Sequence, residues 1–146
     1  MNKSPIAVPI YEAIVDIASA VELGKGPIGI RRMIGILGGE FEGLRLRGKV
    51  LPGGADRQLI RPDGVRILDA LYEMETHDGV LLTVHNRAKV VERPGMARQA
   101  FSQLDIVAPE GDYGWLNDAV LVGTVDSMRP ARQAVKICVF QLVAEL

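Results

Sequence analysis

The sequence predicts an all-β protein, a single antiparallel β-barrel of about eight meandering strands. Three observations carry this expectation. Short apolar segments are broken repeatedly by Gly, Pro and Asp clusters, the pattern of sandwiches and barrels. Several segments alternate apolar and polar residues with the period of two expected of a half-buried strand. Helical periodicity is scarce. The chain has 146 residues with no linker, repeat or low-complexity tract, so residues 1–146 are read as one domain.

The first strand expected runs from Ile6 to Ile17 and is rich in Ile and Val. Glu22-Leu23-Gly24-Lys25-Gly26-Pro27 reads as a turn, because two glycines precede a proline. A second strand covers Arg31 to Leu37 and closes at Gly38-Gly39. From Phe41 onward Leu44, Leu46, Gly48 and Val50 share one face, with Arg45, Arg47 and Lys49 on the other. A dry face opposite a wet one fits an antiparallel strand. Leu51-Pro52-Gly53-Gly54 bends the chain, since proline removes a donor and glycine permits positive φ.

A short strand from Asp56 to Arg61 leads into the turn Arg61-Pro62-Asp63-Gly64. Val65 to Thr76 sets Leu68, Ala70, Tyr72 and Met74 against Asp69, Glu73 and Glu75. His77-Asp78-Gly79 is a hairpin signal, and Val80 to Val84 returns. Residues 92–100 lack alternation and read as a loop with one helical turn near 93–100. A strand at Phe101 to Val107, the loop from Pro109 to Gly114, and strands at Trp115 to Val125 and Gln133 to Val143 complete the chain. Closure into a barrel would remove exposed edges.

Composition excludes several classes. With 48% hydrophobic and 24% charged residues the chain has ample material for a core. A net charge of -1 gives no global field for nucleic acid. Lys25, Arg31, Arg32, Arg45, Arg47, Lys49, Arg57, Arg61 and Arg66 do cluster in the first half, as a solvated face or a carboxylate-recognising one. The single cysteine, Cys138, reads as a small hydrophobe in a strand, and nothing points to an oxidising compartment. Glu12 and Asp16 interrupt the first apolar stretch, so neither a signal core nor a membrane span is expected. The expected location is cytoplasmic.

Motifs with defined chemistry are missing. His77 and His85 lack partners at metal spacing, and Gly35-Ile36-Leu37-Gly38-Gly39 lacks the dinucleotide fingerprint. No phosphate loop or nucleophile elbow occurs. Neither a metal nor a cofactor is expected.

One constellation is distinctive. Gly38-Gly39-Glu40-Phe41-Glu42-Gly43-Leu44-Arg45-Leu46-Arg47-Gly48-Lys49-Val50-Leu51-Pro52-Gly53-Gly54-Ala55-Asp56-Arg57-Gln58 is followed by Arg61-x-Asp63-Gly64, Tyr72, Thr76-x-Asp78-Gly79 and Asn86-Arg87. Trp115-Leu116-Asn117 and Val120-Leu121-Val122-Gly123 come later. From Ile10 to the C-terminus this pattern resembles the uncharacterised bacterial domain-of-unknown-function family 3237. The resemblance implies a small barrel similar in shape to the allene oxide cyclase and dirigent barrels, which guide cyclisation or coupling of small molecules in an apolar cavity. That family usually has tryptophan after the Ala-Asp pair, where this chain has Arg57.

Alternation places Asp56 and Gln58 on one side of their strand and Arg57 and Arg61 on the other. If the lumen takes Asp56, Gln58, Tyr72, Trp115 and Asn117, it holds a carboxylate, two amides, a phenol and a stacking ring. A carboxyl in a dry pocket has a raised pKa and becomes a usable base or acid. The phenol and amides could steady an enolate oxygen. The expected catalytic pair is Asp56 and Tyr72, with Gln58, Trp115, Asn117 and Arg31 (beside Arg32) contacting substrate. These residues suit a cofactor-free isomerase, lyase or cyclase moving a proton next to a carbonyl. The alternatives are a non-catalytic ligand carrier and a structural or interaction barrel. Equally, Asp56 could serve only the bend, and Trp115 only the core. A homo-oligomer is expected.

Overall fold

A computed structural model describes residues 3–145. Its strands are β1 (Ile6–Ile17), β2 (Val21–Gly26), β3 (Gly29–Glu42), β4 (Arg47–Val50), β5 (Ala55–Ile60), β6 (Arg66–Thr76), β7 (Leu81–Val91), β8 (Gln99–Val107), β9 (Val120–Ser127) and β10 (Ala134–Val143). They form a closed eight-stave antiparallel barrel. Two staves are each built from two short strands. β4 and β5 lie end to end between β3 and β6, and β1 and β2 follow one another along the same edge of β3. Closure comes from the pairing of β1 with β3 at one side and β10 at the other.

Several boundaries differ from the sequence expectation, each for a local reason. The stretch read as a turn at 22–27 is strand β2. Gly24, at φ 91°, absorbs a register shift between Glu22 and Gly24, so glycine serves a bulge there and the chain reverses only at 27–28. Likewise β3 runs through Gly38 and Gly39. Both have positive φ, and a side chain at Gly39 would collide with the Ile14 carbonyl of β1. These two glycines bend β3 where it passes from β1 to β4; they do not end it.

The alternation from Phe41 is interrupted at 43–46, where Leu44 is fully exposed while Leu46 is buried. β7 continues seven residues past Val84, because Asn86, Ala88 and Val90 keep the inward period beyond the polar run His85-Asn86-Arg87. No helical turn forms near 93–100. The only helical element among the described residues is a 3-10 turn, Gly114–Asn117, in the stretch expected to begin a strand.

The two ends of the barrel are unlike. One is plugged by Leu46, Tyr113 and Leu116, all buried in the core cluster with Tyr11, Phe41, Met74 and Leu82. Tyr11 and Phe41 meet edge to face with centroids 5.7 Å apart. Polar side chains hold this plug. Thr76 Oγ1 and Tyr113 OH donate to Asp78 Oδ1 at 2.6 and 2.7 Å, and Val80 N donates to Thr76 Oγ1. At the other end Gly64 of the β5–β6 connection and Glu92 of the β7–β8 connection border a recess lined also by Arg32, Ile60, Arg66 and Val90.

The closing seam carries an ion-pair fork. Arg132 Nε and Nη2 donate to Asp16 at 2.7 and 2.8 Å, and Nη1 donates to Glu40 at 2.8 Å. The fork joins the β9–β10 connection to β1 and β3, and it holds both carboxyls below their ordinary pKa. A carboxyl depressed in the folded state adds stability above its unfolded pKa and loses it as pH falls through the folded value. Arg132→Gln is therefore expected to lower the melting temperature at neutral pH and to flatten its decline below about pH 4.5, the ordinary value for Glu40. Thermal melts of both proteins across that range check this.

Candidate functional site

The inward set follows from register. Asp56 is opposite Ile34 on β3 and Ala70 on β6, and Ala70 is opposite Asn86 on β7. Gln58 is opposite Arg32. Ala70 is small, so the Asp56 and Asn86 side chains flank a gap in the wall. A cavity of about 70 Å³ lies in this part of the lumen, walled by Val15, Ile34, Leu68 and Ile137 with Asp56, Gln58, Tyr72 and Asn86 as its polar groups.

The polar groups are organised around Asp56. Arg32 Nε donates to Gln58 Oε1 at 2.7 Å, and Gln58 Nε2 donates to Asp56 Oδ2 at 2.7 Å. The Asp69 backbone N–H donates to Asp56 Oδ1 at 2.9 Å. The two bonds that reach the carboxylate, from Gln58 and the Asp69 N–H, favour its ionised form. Burial nevertheless pushes the Asp56 carboxyl above its ordinary pKa, prevailing over both bonds and the Arg32 charge. Tyr72 is almost wholly buried, and burial followed by the Asp56 charge raises its pKa. Its hydroxyl is a proton-bearing donor throughout the neutral range.

Four buried polar atoms in the described residues lack a partner within the protein: Tyr11 OH, Tyr72 OH, Asn86 Oδ1 and Ser102 Oγ. All four belong to inward positions of their strands. Unpaired buried polar atoms are costly and rare enough to need a reason. Tyr72 and Asn86 line the cavity itself, where a polar ligand would satisfy them.

The structure brings together Asp56, Gln58 and Tyr72 of the expected set. It places the other three elsewhere. Trp115 and Asn117 belong to the 3-10 turn at the plugged end. There Arg45 covers the Trp115 ring at 3.8 Å, and Asn117 bridges the Ala108 N–H and carbonyl, both at 2.9 Å. These two residues secure the plug. Arg31 is exposed on the outer face, and its neighbour Arg32 is the one turned inward, because β3 alternates. Arg57 is also exposed, opposite Met33, so its cation leaves the lumen wall unchanged.

Sequence reading missed Tyr11, Asn86 and Ser102 as inward polar groups, and it named Arg66 only within the basic cluster. The period of Tyr11, Ala13 and Val15 already marked Tyr11 as inward. For Asn86 the signal was the continuation of alternation through Ala88 and Val90. Ser102 had no comparable local signal. His85 sits on the outer face with Asp69, 2.6 Å away. Among the described residues no group of three or more His, Cys, Asp or Glu side chains converges on a metal-sized site, and no helix is long and apolar enough to cross a membrane.

Closure, a plugged base and a lumen holding an ionisable carboxyl define a small antiparallel barrel with an internal polar site. The family model described as Protein of unknown function (DUF3237) matches residues 5–142, and the chain belongs to that family. A UPF0311 protein of Rhodopseudomonas palustris (strain TIE-1) is 51% identical over 77 residues, covering 53% of this chain and 48% of that one. A UPF0311 protein of Clostridium acetobutylicum is 38% identical over 81 residues, covering 52% and 51%. These matches span about half the length of the curated relatives.

Solved structures agree over the whole barrel. A conserved protein of unknown function from Rhodopseudomonas palustris superposes with a TM-score of 0.88 at 28% identity, covering 97% of this chain and 100% of that one. A β-barrel-like protein from Acinetobacter baumannii AYE gives 0.87 at 27% identity, covering 98% and 99%. An enzyme from Penicillium herquei gives 0.78 at 20% identity, covering 98% of each chain, which is a likeness of fold alone.

Proposed function

We propose that the barrel binds a small carbonyl compound in its lumen and moves a proton between carbon atoms next to that carbonyl, as a cofactor-free isomerase, lyase or cyclase. The observation that carries this reading is the Asp56 carboxyl. It faces an apolar cavity, is held by Gln58 and the Asp69 N–H, and has its pKa raised by burial. A fixed carboxylate of raised basicity is a suitable base for an acidic C–H. The Tyr72 hydroxyl is its complement, a neutral donor for the oxygen on which charge develops. In an isomerisation Asp56 takes the proton from one carbon and returns it to another. In an elimination the enolate electrons expel the group on the next carbon, which leaves with the bonding pair and takes up the proton from Asp56. No electron acceptor is needed in either case.

The test is proton exchange in deuterium oxide, followed by NMR over a panel of small ketones and oxo acids. The expected result is catalysed deuterium incorporation at the carbon beside the carbonyl. A base works only when ionised, so the rate should rise with pH and level off above the Asp56 pKa. The midpoint should lie above 3.8, the ordinary value for aspartate. Tight binding with no exchange at any pH would mark a carrier and defeat the catalytic reading.

A further inference from the structure

The opening above the cavity has a chemistry of its own. Arg32, Ile60, Gly64, Arg66, Val90 and Glu92 line a recess of about 350 Å³. It adjoins the inner cavity through the Arg32–Gln58 hydrogen bond, because Gln58 belongs to the cavity wall and Arg32 to the recess. Register puts the rows in order from the mouth inward. Ile60, Arg66 and Val90 come first, then Arg32 with Gln58, then Asp56 with Ala70 and Asn86. Successive inward residues of a strand are separated by about 7 Å.

Two guanidinium groups thus face one partly buried space, and neither is fully matched. Arg32 spends Nε on the neutral Gln58 amide. Among the described residues Arg66 reaches only Glu92, at 4.0 Å, and Glu92 is held more closely by Arg98, at 3.2 Å. Burial and the Arg32 charge both weaken the hold of Arg66 on its proton. Like charges in a partly desolvated recess are unfavourable unless an anion joins them. The planar fork of arginine suits a carboxylate, which can accept two parallel hydrogen bonds.

We propose that Arg32 and Arg66 form a carboxylate subsite, and that the ligand of the lumen is a short oxo acid. Its acid group is held at the mouth between the Arg66 and Arg32 rows, and its carbonyl reaches the Asp56 row, one row (~7 Å) below Arg32, with Tyr72 on the next row inward. This rests on the proton-transfer reading of the inner cavity and names its substrate class. The subsite also gives direction: the charged end stays in the recess while the uncharged carbonyl end enters the apolar cavity.

The experiment compares the seven- and eight-carbon 6-oxo and 7-oxo acids, whose carbonyl carbon lies roughly 6–8 Å from the acid carbon in an extended chain, with their methyl esters and with inorganic phosphate. Binding is read by NMR shifts of the Arg side-chain Nε–H and Gln58 amide signals, and turnover by deuterium exchange. The acids should bind and shift the Arg32, Arg66 and Gln58 signals, whereas the esters bind far more weakly. Arg66→Gln and Arg32→Gln should each weaken acid binding roughly 10- to 100-fold, the range for a lost charge-assisted hydrogen bond. Arg66→Lys, which keeps charge without the fork, should fall between. Arg57→Gln on the outer face should bind as wild type, and circular dichroism confirms that each variant is folded.

Equal binding of acid and ester, tighter binding of phosphate than of every acid, or no acid binding at millimolar concentration would overturn the subsite. Arginine-dependent acid binding without exchange would leave the subsite standing and defeat only the catalytic reading. Exchange that is indifferent to the ester and to both arginine variants would do the reverse.

Discussion

Replacing Asp56 with asparagine is expected to reduce exchange by roughly 10²- to 10⁴-fold, the usual contribution of a positioned general base, while the barrel remains folded. Asparagine is nearly isosteric and keeps the bond from the Asp69 N–H through Oδ1. Its amide nitrogen then confronts the Gln58 amide nitrogen, which already donates to Asp56 at 2.7 Å. One hydrogen bond is lost, worth about 1 kcal/mol. Against this, the variant no longer ionises a partly buried group.

The effect on stability has a definite sign. A carboxyl whose folded pKa exceeds its unfolded value binds its proton more tightly in the native state. Its ionisation therefore removes stability as pH rises from about 3.8, the ordinary value, through the raised folded value. Asp56→Asn should abolish that part of the decline, giving a melting curve that falls less across this interval. Loss of exchange together with this flatter curve identifies Asp56 as a working base. A sharp loss of stability at every pH, with exchange in the remaining folded protein unchanged, would make it a builder of the bend.

Gly54→Ala is expected to lower stability by about 3 kcal/mol, near the upper end for overpacking, or roughly 10 °C for a domain of this size. A Cβ at Gly54 would lie 2.5 Å from both the Leu71 carbonyl oxygen and Tyr72 Cβ. Neither is the free end of a flexible chain, so the β4–β5 stave must shift away from β6. Tyr72 would move with it, and ligand affinity should fall alongside the melting temperature. Gly53→Ala is the internal contrast. Gly53 has φ 109°, and beyond its chain neighbours no atom lies within 4 Å of where a Cβ would sit. Its cost is therefore backbone strain of about 1–2 kcal/mol. Thermal denaturation of the two variants separates close packing from conformational strain within one motif.

That motif shows how far the residues could be read. The run Leu51-Pro52-Gly53-Gly54-Ala55-Asp56 signals a bend by its proline and glycines, and the bend is there. It sits inside a stave, joining β4 to β5 between the same two neighbours. Gly54 is required by contact with β6, which no local pattern reveals. Similarly, Trp115 and Asn117 looked like strand residues sharing a face. The 3-10 turn places them at the plug, where Arg45 and Ala108 hold them.

The all-β class, most of the strands and the parity within the uninterrupted ones were determined by the sequence itself, because alternation of apolar and polar residues is a local property with period two. Parity alone put Asp56 with Gln58 and placed Arg57 on the opposite face. Only the tertiary structure decided which face became lumen, that Arg32 and not Arg31 turned inward, and that Arg66 lines the recess and Asn86 the cavity. Those outcomes depend on register between strands and on bulges that reset it, as at Gly24. They also depend on closure by contacts such as Arg132 with Asp16, 116 residues apart. Long-range pairing of this kind is chosen by how the whole barrel closes, and no window of neighbouring residues contains it.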